Sequence, residues 1–190
     1  MAGKLVILSG PSGAGKSTLA KHLLKIKKYN LVFSVSACSR KIRPGEVEGK
    51  DYYFLSIDSF KSKIEEDEFL EWEEVYPGHY YGTLKIEVEK LRMTGDNVIF
   101  DVDVMGAINI KRKYKEEAIS IFVMPPSVEV LEERLIMRKT DSPENIQKRL
   151  RKTKMELVYA RRFDHVIEND NLDNATAEVE KLVSDFLLNK

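Results

Sequence analysis

Residues 8–24 read LSGPSGAGKSTLAKHLL. The stretch packs Gly10, Gly13, Gly15, Lys16, Ser17 and Thr18 close together and then turns amphipathic. Leu19, Leu23 and Leu24 fall at helical spacing, with Lys21, His22 and Lys25 between them. Before it, residues 4–9 (KLVILS) form a short apolar run of the kind found in buried strands. Residues 10–17 therefore join a strand to a helix, and they match the phosphate-binding pattern G-x-x-x-x-G-K-[ST]. Glycines let such a turn be sharp and let the backbone come close to a ligand. Backbone N–H groups then point at an anion lying on the helix N-terminus, where the dipole also favours negative charge. In this pattern Lys16 reaches the β- and γ-phosphates and Ser17 offers its hydroxyl to Mg²⁺. The reading predicts a site for a nucleoside triphosphate, lined by Gly10, Pro11, Ser12, Gly13, Ala14, Gly15, Lys16, Ser17 and Thr18.

The rest of the chain bounds that reading. Its 190 residues, 43% of them hydrophobic, suit one domain with a sizeable core. Lys plus Arg and Asp plus Glu number 31 each, so the net charge is zero. No global basic field points to nucleic acid or to an anionic membrane. One cysteine, Cys38, excludes an internal disulfide and points to a reducing compartment. The first apolar run is too short for a secretory leader, and no run approaches the ~20 apolar residues of a membrane span. A cytoplasmic protein is expected.

Strand-like runs recur at residues 31–36, 97–103, 118–124 and 165–168. Helical patterns sit between or after them, at 104–114, 128–138, 144–161 and 175–188. Strands alternating with helices predict an α/β fold with a parallel sheet flanked by helices. Between Ser36 and Met93 the character changes: DYYFLS and EFLEWEEVY read as short strands, with small helices at 59–65 and 84–93. That is a mixed α/β lobe inserted between sheet strands. The stretch 134–151 is polar and strongly basic, and Ser142–Pro143 marks a helix start within it.

The inserted lobe carries the residues that a second substrate would need. Arg40 and Arg43 lie three apart beside a Pro44–Gly45 turn. Two guanidinium forks so close suit a phosphate, and they equally suit a solvated surface. Tyr52 and Tyr81 offer hydroxyl donors, and Tyr52 also reads as half-buried strand packing. Glu71 and Glu73 fall two apart in FLEWEE, either on the solvent face of a strand or facing a ligand. Asp101 and Asp103 follow an apolar run, so they are expected at the carboxyl end of a sheet strand, where open α/β sheets bind ligands. Guanine offers N1–H and N2–H₂ as adjacent donors, which a carboxylate complements, and O6 and N7 as acceptors, which hydroxyls complement.

Taken in order, GPSGAGKST, S-A-C-S-R-x-x-R-P-G-E-x-x-G-x-D-Y, F-L-E-W, H-Y-Y-G-T, F-D-V-D and P-P-S-x-x-x-L-x-x-R-L resemble the guanylate kinases. The resemblance runs from Lys4 to about Leu187. It implies transfer of the γ-phosphoryl group of ATP to GMP with Mg²⁺, on a fold with a parallel-sheet core, a GMP-binding lobe and a mobile helical lid. Boundaries expected on that basis are 1–35, 94–126 and 155–190 for the core, 36–93 for the lobe and 127–154 for the lid. By motif, the resemblance implies that Ser36, Arg40, Arg43, Tyr52 and Tyr81 hold the GMP phosphate. It further implies that Glu71, Thr83 and Asp103 read guanine, with Asp101 close by. Arg134, Arg138 and Arg149 would be lid arginines, with Arg134 and Arg138 on the ATP side, and Asn169 of VIEND would lie near adenine. Lys16, Arg40, Arg138 and Arg149 would serve the transferring group. Ser17 would be the residue nearest the metal.

The chain departs from the family at Cys38–Ser39, where two threonines are usual, and at 138–141 (RKTD), where R-G-T-E is usual. One residue is inserted at 76–78, and the segment from Tyr159 to Asp164 is short. None of these removes a charged ligand. His22, His79 and His165 are scattered and suggest no nucleophile–base pair, as expected when the acceptor is a phosphate oxygen already deprotonated near neutral pH. Two other readings stay open: a phosphopeptide-binding module of similar fold, and a kinase of a ribose bisphosphate. The intact Lys16 and Ser17 speak against the first, and the guanine-reading set speaks against the second. The expected partners are ATP and GMP, without nucleic acid or membrane, in a monomer or homodimer.

Overall fold

The structure is a computed structural model of the chain and describes residues 2–137 and 143–188. In chain order its first elements are β1 (Leu5–Ser9), α1 (Lys16–Leu23), β2 (Leu31–Phe33), β3 (Ala37–Cys38) and β4 (Tyr53–Phe54). Next come α2 (Ile57–Glu65), β5 (Phe69–Tyr76), β6 (His79–Leu84), α3 (Lys85–Met93), β7 (Asn97–Asp101) and α4 (Val104–Tyr114). The chain continues with β8 (Ala118–Met124), α5 (Val128–Met137), α6 (Pro143–Leu157), β9 (His165–Glu168) and α7 (Leu172–Leu188). Five strands form one sheet in the order β2-β7-β1-β8-β9, and every pairing in it is parallel.

The central apolar runs, β1, β7 and β8, are strands buried on both faces, while the edge strands β2 and β9 are partly exposed. Val6 and Leu8 pack against Leu19 and Leu23 of α1 and Val179 and Val183 of α7. Their alternates Leu5 and Ile7 join Val98, Phe100, Val104, Ala107 and Ile110 on the α4 side. A strand covered on both faces needs no polar alternation, which is why β1 reads LVILS. The parallel register sets Leu8 beside Asp101, so the end of β7 stands next to the start of the glycine loop.

Between β2 and β7 the chain builds a separate four-stranded mixed sheet, ordered β4-β3-β6-β5. The β3–β4 pairing is parallel and the others are antiparallel. Its own small core is Ala37, Phe60, Phe69, Tyr80 and Leu84, with the Phe60 and Phe69 rings stacked at 4.3 Å. Helices α5 and α6 pair through Leu131, Leu135, Ile146 and Leu150. Among the described residues no helix is long and apolar enough to cross a membrane.

Element ends differ from the expectations where side chains cap helices. The strand expected over 97–103 stops at Asp101, because Asp103 is the N-cap of α4 and its carboxylate accepts the Gly106 N–H at 2.7 Å. The strand expected over 31–36 stops at Phe33, and the chain then passes to β3 of the second sheet. The run 51–56 contributes only Tyr53–Phe54, since Ser56 caps α2 by accepting the Ser59 N–H at 3.0 Å and starts that helix at Ile57. Likewise α7 starts at Leu172 rather than 175, with the Asn171 side chain accepting from Asp173 and Asn174 N–H at 2.9 and 3.1 Å. The helix expected over 144–161 is α6 followed by a 3-10 turn at Val158–Arg162.

Candidate active site

The glycine loop, residues 10–15, leaves β1 and enters α1 under tight steric control. Gly15 has φ +104°, and a Cβ there would lie 2.2 Å from Asn169 Nδ2. Gly10 has φ +134°, and its Cβ would meet the Val123 carbonyl oxygen at 2.4 Å. Only glycine satisfies both the dihedral and the space at these positions. Asn169, buried, donates from Nδ2 to the Ala14 carbonyl at 2.7 Å, and its own carbonyl accepts from Arg134 Nη2 at 2.9 Å. Both residues thus brace the loop from behind. Ser17 and Thr18 are exposed at the start of α1.

Lys16 folds back across the loop. Its Nζ donates to the Gly10 and Pro11 carbonyls at 2.8 and 3.0 Å and lies 3.9 Å from Asp101 Oδ1. The Ser17 hydroxyl donates to the other Asp101 oxygen. A cavity of about 520 Å³ opens here, lined by Gly10, Ser12, Lys16, Asp101, Asp103 and Arg149 among others. Arg149 reaches it from α6 and donates to the Ser12 hydroxyl at 2.8 Å. Glycine-loop backbone, the cations of Lys16 and Arg149, and the carboxylates of Asp101 and Asp103 facing one cavity suit a polyphosphate with its counter-ion. The Ser17 hydroxyl and Asp101 carboxylate are hard oxygen donors of the kind Mg²⁺ takes beside phosphate oxygens and water, so the residues present fit that ion.

A second cavity of about 170 Å³ adjoins the first and shares Glu73, Asp101, Val102 and Asp103 with it. Ser36, Tyr52, Glu71 and Tyr81 complete its wall. Glu71 is not on a solvent face: it is 9% exposed, and its Oε1 accepts the Thr83 hydroxyl at 2.6 Å across the β5–β6 pair. Burial pushes its carboxyl up to about 7, with the Asp103 and Glu73 charges adding to the rise and the Thr83 bond opposing it. Helix α4 closes over this acid, since a Cβ on Gly106 would lie 2.9 Å from Glu71 Oε2. Glu73, two residues on, shares the face. Burial raises its carboxyl, the nearby Asp103 carboxyl raises it further, and Lys152 lowers it.

Arg40 stands one contact further out. Its Nε donates to the Tyr81 hydroxyl at 3.2 Å, and its guanidinium lies 4.8 Å over the Tyr52 ring. Both terminal nitrogens are taken by Glu46, Nη1 to Oε2 at 2.7 Å and Nη2 to Oε1 at 2.6 Å. That bidentate pair holds the Glu46 carboxyl down at about 2. Arg43 is exposed and outside both cavity walls, with its backbone N–H bonded to the same Glu46 at 2.8 Å. Arg138 lies outside the described residues.

The structure therefore gathers Ser36, Tyr52, Glu71, Tyr81, Asp101 and Asp103 round one cavity, with Thr83 and Arg40 directly behind. It leaves Arg43 at the periphery. Glu46 carried no assigned role in the sequence, although it closes the R-x-x-R-P-G-E run, and a carboxylate just past a Pro-Gly turn from two arginines was the signal. Lys152, exposed, and Glu156, partly buried, line the first cavity and gave no signal, because their helix reads as a basic surface. None of the three histidines lines either cavity, and His22 pairs instead with Glu180 at 3.2 Å across α1 and α7.

Comparison with known proteins places the chain in a family. The family model described as guanylate kinase matches residues 2–186. The guanylate kinase of Bacteroides thetaiotaomicron is 51% identical over 187 residues, 98% of this chain and 91% of its own length. That of Porphyromonas gingivalis is 48% identical over 184 residues, covering 97% of this chain and 98% of its own length. A crystal structure of guanylate kinase from Anaplasma phagocytophilum superposes with a TM-score of 0.75 at 30% identity, over 100% of this chain and 88% of that one. With relatives about half identical to it almost from end to end, the chain belongs to the guanylate kinase family of kinases.

Proposed function

We propose that the protein transfers the γ-phosphoryl group of Mg·ATP to GMP, giving ADP and GDP in one in-line step without a covalent intermediate, and that it accepts dGMP as well. The observation carrying this reading is the buried Glu71–Thr83 pair, in a cavity that opens directly into the glycine-loop cavity. Among the described residues no cation pairs with this acid, and it suits a ligand with adjacent N–H donors, which guanine supplies at N1 and N2.

In this reading residues 10–18 hold the ATP phosphates through backbone N–H groups, and Lys16 exchanges its two loop carbonyls for phosphate oxygens. Arg134, Arg138 and Asn169 serve the donor side, Asn169 and Arg134 also through their bracing of the loop. Ser17 and Asp101 hold Mg²⁺, which supplies charge neutralisation at the β- and γ-phosphates when bound with ATP. Ser36, Arg40, Arg43, Tyr52 and Tyr81 hold the GMP phosphate, while Glu71, Thr83 and Asp103 read the base. Donor and acceptor are both anions. Lys16, Arg40, Arg138 and Arg149 offset their repulsion and stabilise the charge spread over the transferring group. The acceptor oxygen needs no base to deprotonate it, in keeping with cavities that no histidine lines.

The parallel sheet with residues 1–35, 94–126 and 155–190 is the core in this scheme, 36–93 the acceptor lobe and 127–154 the lid. Lobe and lid close on the core to exclude water, which would otherwise take the phosphoryl group. The protein acts in the cytoplasm on free nucleotides, as a monomer or homodimer.

The test is ADP release with Mg·ATP against GMP, dGMP, AMP, CMP, UMP and ribose 1,5-bisphosphate. GMP and dGMP should be phosphorylated and the other four should not. Turnover of the ribose bisphosphate in place of GMP, or no turnover together with no ATP binding, contradicts the proposal.

A further inference from the structure

Helix α6 makes two polar reaches out of its own helix pair. Arg149 goes to Ser12 in the glycine loop at 2.8 Å. Lys152, three residues on, goes to Glu73 of β5, with Nζ 2.6 Å from Oε1. One helical turn therefore touches the donor loop with one cation and the acceptor strand with the other. Glu73 lines both the donor and the acceptor cavity, as does Asp103, and the two carboxyl groups lie close together. Lys152 meets them from the α6 side, with Glu156 at 4.0 Å completing the group. Its side chain is 49% exposed and that of Glu73 36%, so the pair is held loosely enough to form and break.

We infer that Lys152 is a positioning residue: with Glu73 it forms the catch through which β5 and α6 move together, so that filling the acceptor cavity brings Arg149 to bear on the donor phosphates. The inference rests on the nucleotide-kinase reading above and adds a coupling route to it. An acceptor that settles β5 also settles Glu73. Through Lys152 this fixes the α6 turn that carries Arg149. ATP then binds more tightly when the acceptor is present, and by linkage the acceptor binds more tightly when ATP is present.

The experiment measures the dissociation constant of the non-hydrolysable analogue β,γ-imido-ATP with and without saturating GMP. The ratio of the two is the coupling factor. Lys152→Met and Glu73→Gln should each lower that factor about fivefold, the range of a partly exposed ion pair. Lys152, which does not line the acceptor cavity, gives the clean arm: Lys152→Met should leave binary GMP affinity within about twofold. Lys152→Arg should keep the coupling, and the Lys152→Met/Glu73→Gln double variant should lose no more than either single one. The catch is overturned if the coupling factor survives Lys152→Met, if the losses in the double variant add, or if Glu73→Gln merely weakens binary GMP binding with coupling intact. Failure of the unmodified protein to phosphorylate GMP overturns the functional reading itself. An active unmodified protein whose variants couple normally overturns the catch alone.

Discussion

The donor cavity takes its loop side, Gly10, Ser12 and Lys16, from one contiguous stretch, and the rest of its wall from β5, the turn from β7 into α4, and α6. The acceptor cavity draws its wall from Ser36, Tyr52, β5, β6 and the turn from β7 into α4. The two also differ in material. The donor side is shaped by backbone, with glycines fixed by steric contact and Lys16 resting on loop carbonyls. The acceptor side is shaped by side chains that hold one another in place, Glu46 on Arg40 and Thr83 on Glu71. In the proposed reading the loop serves any nucleoside triphosphate, whereas the choice of acceptor depends on these few preset polar pairs.

The largest effect should come from the donor side. In the proposed reading Lys16→Ala removes a positioned charge at the transferring phosphates, and kcat should fall at least ~10²-fold in the ADP-release assay. Retained activity would break the contrast at once. Gly15→Ala attacks the loop backbone instead. A side chain at φ +104° pressing on Asn169 should cost about 1–3 kcal/mol and lower the melting temperature by roughly 5 °C, with ATP binding weakened alongside.

On the acceptor side the prediction is a pH dependence. Burial pushes the Glu71 carboxyl up to about 7, and in the proposed reading it is ionised when it accepts from guanine N1–H and N2–H₂. GMP affinity should rise about tenfold from pH 6 to pH 8. The GMP phosphate itself titrates near ~6. Glu71→Gln keeps that contribution and should lose only the step at about 7, so the difference between the two profiles isolates Glu71. Folded Glu71 also binds its proton more tightly than the unfolded chain does. Its contribution to stability is present below the ordinary carboxylate value of 4.5 and is lost as pH rises through about 7. Glu71→Gln should flatten that part of the stability profile. A smaller effect is expected from Glu46→Gln, which loosens but does not remove Arg40 and should raise KM for GMP about threefold.

The same contrast explains what the sequence revealed. The glycine loop was legible because its geometry is local: spacing, strand before and helix after dictate it. The parallel sheet was legible because strands buried on both faces read as unbroken apolar runs, as β1 and β8 do. Glu71 and Glu73 were ambiguous in FLEWEE, since a period of two says which residues share a face and not which face α4 covers. Asp103 was read as a strand residue, and its capping role depends on where the helix starts. Arg40 was recognisable by motif, but its grip by Glu46 is a side-chain pairing round a turn that composition does not encode.

The claim that base choice and phosphate grip are separate is tested most directly by kcat/KM for GMP and AMP in two variants. Adenine presents a lone pair at N1, where guanine has N1–H, so an ionised Glu71 rejects it. Sites of this kind reject analogues by up to ~10⁴-fold. Glu71→Gln should weaken GMP use and narrow the GMP/AMP ratio. Arg43→Ala should depress both acceptors alike, because in the proposed reading it serves only the phosphate. A ratio that changes with Arg43→Ala and holds with Glu71→Gln would contradict the account.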